Sequence, residues 1–156
     1  MRLYGVNALR DKLDGDALEE PLGRYLDRAA IYFQGKARQH IQTQKAIDTG
    51  RTLNTIGVVE QDETSRTIGP NTTYAPYIEF GRKPGKMPPP GVLLPWMKRH
   101  GIEPEAEFGI ARAIASRGIA ERPFMRPAAT ETERFMKDDL PNFAAEIESS
   151  YARDVT

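Results

Sequence analysis

Apolar residues fall at three- and four-residue steps through the first third of the chain. Leu18, Leu22, Leu26, Ala29, Ala30, Phe33, Ala37 and Ile41 share one helical face, with polar residues between them. That pattern predicts one long amphipathic helix over about 16–45. Asp16 stands where a cap belongs, and Glu19 completes a capping box. Pro21 fits such a helix only near its start. Ahead of it, Val6, Leu9 and Leu13 predict a short opening helix that the Asp-Gly-Asp of 14–16 breaks.

The period changes at "DTGRTLNTIGVVEQDETSRTIGP". Its β-prone runs and the polar "EQDETS" between them predict a hairpin with strands at about 51–60 and 65–70. "YAPYIEF" then reads either as a short helical turn or as an irregular aromatic loop. "GRKPGKMPPPG", 81–91, excludes regular structure, because consecutive prolines remove donors and enforce extended backbone.

Two short helices follow within 92–121, each ending in a Gly-Ile pair, 101–102 and 118–119. In each the glycine is expected to take a left-handed angle and the isoleucine to fold back on the last turn. Phe108, Ala111, Ile114 and Ala115 supply the apolar stripe of the second. "RPFMRP" leads into a C-terminal helix whose expected apolar face is Phe135, Met136, Leu140, Phe143, Ala144, Ile147 and Tyr151. Pro127 sits at its start, and Pro141 should kink or divide it. The fold class is α+β: a long N-terminal helix and a C-terminal helix packed on a small antiparallel sheet. Residues 1–156 read as a single domain, with a Pro-rich loop at 81–91 and a helical insertion at 92–121.

Composition narrows the chemistry. No cysteine is present, which excludes disulfides, thiol catalysis and zinc–thiolate sites. The 22 basic and 22 acidic residues cancel, so net charge draws the chain toward neither nucleic acid nor an anionic membrane. The charge is segregated, however. Residues 82–126 carry nine basic and four acidic side chains, and 131–156 carry seven acidic and three basic. Such segments either form two solvated faces or attract each other, within one chain or between neighbours.

Few residues qualify for catalysis or ligand binding. "GRKPGKM" is one residue short of a phosphate-binding loop, Met87 replaces the hydroxyl, and prolines follow where a helix should start. His40 and His100 each lack the neighbouring ligands a metal needs. No Ser or Thr sits in a nucleophile elbow. No apolar run is long enough for a membrane span. We therefore expect no enzyme activity, cofactor or metal.

The order of segments resembles a known family. "YGVNALRDKL" resembles a G-hydrophobic-x-x-L-x-x-x-L start, and "DTGRTLNTIGV" a T-G-x-L-x-x-S-I strand entry with Thr55 in place of serine. "IGPNTTYAPYIEFG" resembles a G-P-x-x-x-Y-A-x-Y-x-E-F-G signature, and "RPFMRPA" a P-F-L-R-P-A signature. Together they resemble the neck, or tail-completion, family of long-tailed bacteriophages, the gene-product-ten-like tail components. The resemblance covers about 5–130, with 82–121 longer than in compact members. It implies a non-enzymatic virion protein, made in the bacterial host cytoplasm. It also implies a ring of identical subunits, commonly a hexamer, at the head–tail junction. Implied partners are head-closure or connector proteins, tail-terminator or tail-tube proteins, and DNA passing through the lumen. Two alternatives stand beside it: another connector ring (a head-closure or tail-terminator protein), or a small nucleic-acid-binding adaptor.

A ring needs one patch on each subunit to meet a different patch on the next. Interfaces favour aromatic residues, Met and Arg. Tyr74, Tyr77, Phe80, Arg82, Met87 and Trp96 concentrate these types, and Lys83 and Lys86 add charge. Tyr74, Tyr77 and Phe80 either cover the hairpin's end as core or anchor the root of a loop that reaches a neighbour. Phe124, Met125 and Arg126 carry the same ambiguity, filling either the chain's own core or a neighbour's groove. Glu79, among aromatics, should pair with an arginine if buried.

Overall fold

The computed structural model describes residues 2–4, 15–44 and 48–154. The α+β fold expected from the sequence is present. A three-stranded antiparallel sheet has the order β1-β3-β2, from β1 (Arg2–Tyr4), β2 (Ile56–Gln61) and β3 (Ser65–Pro70). Two long helices, α1 (Gly15–Thr43) and α6 (Met125–Asp154), account for most of the core. Between them lie α2 (Arg51–Thr55), α3 (Ala75–Phe80), α4 (Leu94–Arg99), a 3-10 turn at Pro104–Ala106, and α5 (Glu107–Arg117).

Helix α1 buries the face its periodicity marks. Leu26, Ala29, Phe33 and Ala37 are fully buried, and Leu18, Leu22, Tyr25, Ala30 and Ile41 nearly so. Burying a large aliphatic or aromatic side chain contributes about 1.5–3 kcal/mol each, so this one face dominates the fold's stability. Pro21 lies inside the helix and is buried. Asp16 and the expected opening helix lie outside the residues whose side chains are described. The expectation ahead of α1 did not include β1, which pairs with β3 through Arg2–Thr67 and Tyr4–Ser65.

Helix α6 runs antiparallel to α1. Tyr25 stacks on Phe143 at 4.5 Å between centroids, and Tyr32 on Phe135 at 4.4 Å. The Tyr25 hydroxyl donates to the Met136 carbonyl at 2.7 Å. Arg28 bridges Asp139 and Glu146 at 2.9 and 2.7 Å, and Lys36 and His40 both meet Glu131. The helix passes Pro141 without a break in its assignment, against the expected division. The row facing inward is Ala128, Thr132, Asp139, Phe143 and Ser150. Leu140 and Ala144, expected on the apolar face, point outward, because each lies one step around the helix from that row.

The expected hairpin is shorter than its β-prone sequence. Residues 51–55 form one helical turn: the Asn54 N–H donates to the Gly50 carbonyl at 3.0 Å, and Thr55 Oγ1 donates to the Arg51 carbonyl at 3.0 Å. Gly50 begins that turn at φ 74°, an angle glycine adopts without strain. Asp62 closes the hairpin, its carboxylate accepting from the Thr64 N–H at 2.9 Å and Ser65 Oγ at 2.7 Å. Ile56 and Ile68 join the core under α1. Arg66 is buried too, reaching Asp27 at 2.8 Å.

Candidate interface site

Residues 81–121 leave the body and return to it beside their point of departure. The Arg122 N–H donates to the Ile78 carbonyl at 2.8 Å. Arg82 and Ile119 exchange both backbone hydrogen bonds, at 2.9 and 2.8 Å. The Gly85 N–H then donates to the Ala115 carbonyl at 2.9 Å. Gly81 (φ 69°) and Gly118 (φ 76°) flank this ladder, and at each a Cβ would collide with backbone of the opposing segment. Ile119 therefore does not fold back on α5 as expected. It pairs with Arg82, and the glycine before it serves close approach of two backbones. At the other Gly-Ile pair the isoleucine does turn back, with the Ile102 N–H on the Met97 carbonyl at 3.0 Å.

A carboxylate locks the ladder's base. Glu79 is 4 % exposed and accepts from the N–H groups of Phe124, Met125 and Arg126 at 2.7, 2.8 and 3.1 Å. Those are N–H groups at the start of α6 that lack partners within the helix, where a negative charge is favoured. Arg126 Nε adds a bond at 3.1 Å, and its Nη2 reaches Glu121 at 2.7 Å. The expected arginine partner of Glu79 is thus Arg126. Burial pushes the Glu79 carboxyl up, but the three backbone donors and Arg126 outweigh it and hold the group below its ordinary range. The Arg126 guanidinium also lies over the Phe80 ring, 5.4 Å from its centroid.

These contacts sort the residues singled out from the sequence. Phe124 is fully buried and Glu79 nearly so, which corrects their assignment as partner-facing: both hold the fold. Met125 packs against the core beside Phe124. Tyr77 and Phe80 are 60 % and 65 % exposed, so neither covers the hairpin as core; Ala75 and Ile78 do that work on the opposite side of α3. In the loop, Lys83, Lys86 and Met87 are exposed, and Arg82 Nη2 donates to the Lys86 carbonyl at 2.5 Å. Phe108, expected in the stripe of α5, is exposed, while Ala111 is buried.

An apolar cleft of about 770 Å3 opens between the body and the insertion. Ile41, Leu53, Tyr74, Tyr77 and Ile78 line the body side, and Leu93, Trp96, Ile110, Ile114 and Ile119 the insertion side. The sequence reading marked Tyr74, Tyr77 and Trp96, and the fold brings these three to one cavity. Lys83, Lys86 and Met87 do not line it. Asp48 ties one end shut, accepting from Arg99 Nε at 2.9 Å and contacting His100 Nε2 at 3.2 Å. The hydrogen bonds from Arg99 hold the Asp48 carboxyl below its ordinary range. His100 in turn packs on Trp96 at 4.8 Å. Asp48 and Arg99 were missed in the sequence, since nothing local links an aspartate after α1 to an arginine in α4.

Among the described residues, no group of three His, Asp or Glu side chains is placed to hold a metal ion. Among the same residues, no helix is long and apolar enough to cross a membrane. Comparison of the chain with protein-family models, curated proteins and solved structures finds no match.

Proposed function

We propose that this chain is a structural subunit that assembles with copies of itself into a ring, and that the ring is a neck or tail-completion part of a phage virion. The observation that carries the assembly reading is the exposed apolar surface around the cleft. Tyr77, Phe80, Met87, Val92, Leu94 and Ile119 are between 38 % and 65 % exposed, all within 77–119. Exposed aromatic and aliphatic groups gathered in one region mark interaction sites. The two backbone-anchored ends and the proline-stiffened loop limit the entropy lost on docking. The virion assignment is supported by the motif order alone: Tyr74 to Gly81 and Pro123 to Pro127, the two segments most like the family, are the ones that Glu79 joins.

The reading is tested by replacing Lys83–Pro90 with a short Gly-Ser linker in the full chain. The variant should keep the helical circular-dichroism spectrum and remain monomeric at concentrations where the unaltered chain sediments as a ring. A ring of unchanged size and affinity would refute the assignment of this region. A salt-dependent affinity for DNA by the monomer would favour the adaptor reading instead, since phosphate contacts release counterions.

A further inference from the structure

We infer, resting on the ring reading above, that the apolar cleft receives the outward face of α6 from a second copy of the chain. Leu140 is 50 % exposed at the middle of that face, with Pro141, Ala144 and Ala145 exposed around it. Asp138 and Glu148 bound this apolar stretch, about 15 Å apart along the helix. Four other acids of α6 are engaged within the chain: Glu131 with Lys36, Glu133 with Lys137, Asp139 with Arg28, and Glu146 with Arg24 and Arg28. Asp138 and Glu148 are exposed, and among the described residues neither forms an ion pair.

The cleft complements this face in shape and charge. Its walls are isoleucine, leucine and aromatic rings, a surface suited to an amphipathic helix laid in a groove. Arg51 and Arg122 stand on its lining. On the insertion, Lys98, Arg112 and Arg117 are exposed and, among the described residues, form no ion pair. Basic side chains around an apolar groove match an apolar stripe bounded by acids, and such matching sets register and partner choice.

The occupant must come from another copy. Asp139, beside Leu140, pairs with Arg28 of α1, whereas the cleft begins at Ile41. At 1.5 Å per residue, Arg28 and Ile41 are about 20 Å apart along α1. The two patches are therefore separate surfaces of one subunit. A patch meeting a different patch propagates head to tail and closes when the rotation allows.

The test uses two full-length variants. Leu140→Asp spoils the helix face and leaves the cleft intact. Arg51→Glu combined with Tyr77→Ser spoils the cleft and leaves the helix face intact. Each alone should lose self-association by about tenfold or more in dissociation constant. Mixed, they should form a one-to-one heterodimer and nothing larger, because one sound interface remains per pair. Asp138→Lys with Glu148→Lys should reproduce the Leu140→Asp result while keeping the apolar face. If the unaltered chain forms rings and these variants do so equally, the inference falls and the ring reading stands. Variants that stay monomeric both alone and mixed would also overturn it. An unaltered chain that stays monomeric throughout overturns both.

Discussion

Glu79 and Arg126 meet twice, at the side chain and at the main chain: Arg126 Nε donates to the Glu79 carboxylate at 3.1 Å, and Nη2 to the Glu79 carbonyl at 3.2 Å. They sit on opposite sides of the insertion, so the pair fixes where α6 begins relative to α3. The same carboxylate serves three N–H groups of that helix start. Its removal strands four donors at once, three of them on the main chain.

Glu79→Ala should therefore cost about 3–5 kcal/mol, the range for removing one partner of a buried charged contact. The urea midpoint, with an unchanged slope, is the measurement. Glu79→Gln keeps the shape and part of the hydrogen bonding and should cost less. A loss below about 1 kcal/mol for the alanine variant would contradict the role given to this carboxylate.

Acid should weaken the fold partly through the same residue. The Glu79 carboxyl lies below its ordinary value of 4.5 in the folded chain, so the unfolded chain binds its proton first. Its stabilisation is complete above that value and is lost as pH falls through the lowered folded value. Glu131, held down by Lys36 and His40, acts with the same sign. Stability measured from pH 7 down to pH 2 should fall less steeply in Glu79→Gln than in the unaltered chain.

Gly118→Ala and Gly81→Ala should each loosen the insertion. A Cβ at 118 would press on the Arg82 carbonyl, and one at 81 on the Ile119 carbonyl, both main-chain atoms with little room to yield. The positive φ at each adds strain, for a total of about 2–3 kcal/mol. Hydrogen exchange should show lost protection at Arg82, Gly85 and Ile119, while the α1–α6 core stays protected.

Phe124 and Tyr77 should respond oppositely to truncation. Phe124→Ala leaves a cavity in the core and should cost about 3–5 kcal/mol. Tyr77→Ala removes a side chain that is 60 % exposed and should change stability by no more than about 0.5 kcal/mol, while weakening self-association. Equilibrium unfolding beside sedimentation separates the two effects.

The elements legible in the sequence were those whose signal is local. The period of α1 was legible because eight apolar residues recur on one face. The Pro-rich loop was legible because consecutive prolines permit little else. What stayed hidden depends on partners far along the chain. Arg-Thr-Leu-Asn-Thr at 51–55 has strand propensity, yet Gly50 turns the backbone and the segment winds into α2. Leu140 and Ala144 match an apolar pattern, but the orientation of α6 is set by Phe143, Asp139 and Thr132 against α1. At the candidate site, Glu79 could be paired with an arginine from its surroundings alone. Its grip on the start of α6 could not, because the three N–H groups it holds belong to residues 124–126.

The paired backbones of Arg82 and Ile119 give the chain a hinge-free doorway. Both edges of the excursion are fixed a single bond-length of hydrogen bonding apart, whatever lies beyond them. Residues could be added to or trimmed from that excursion without asking the two long helices to move. A molecule so built can change what it grasps by rewriting one appendage, and keep its trunk.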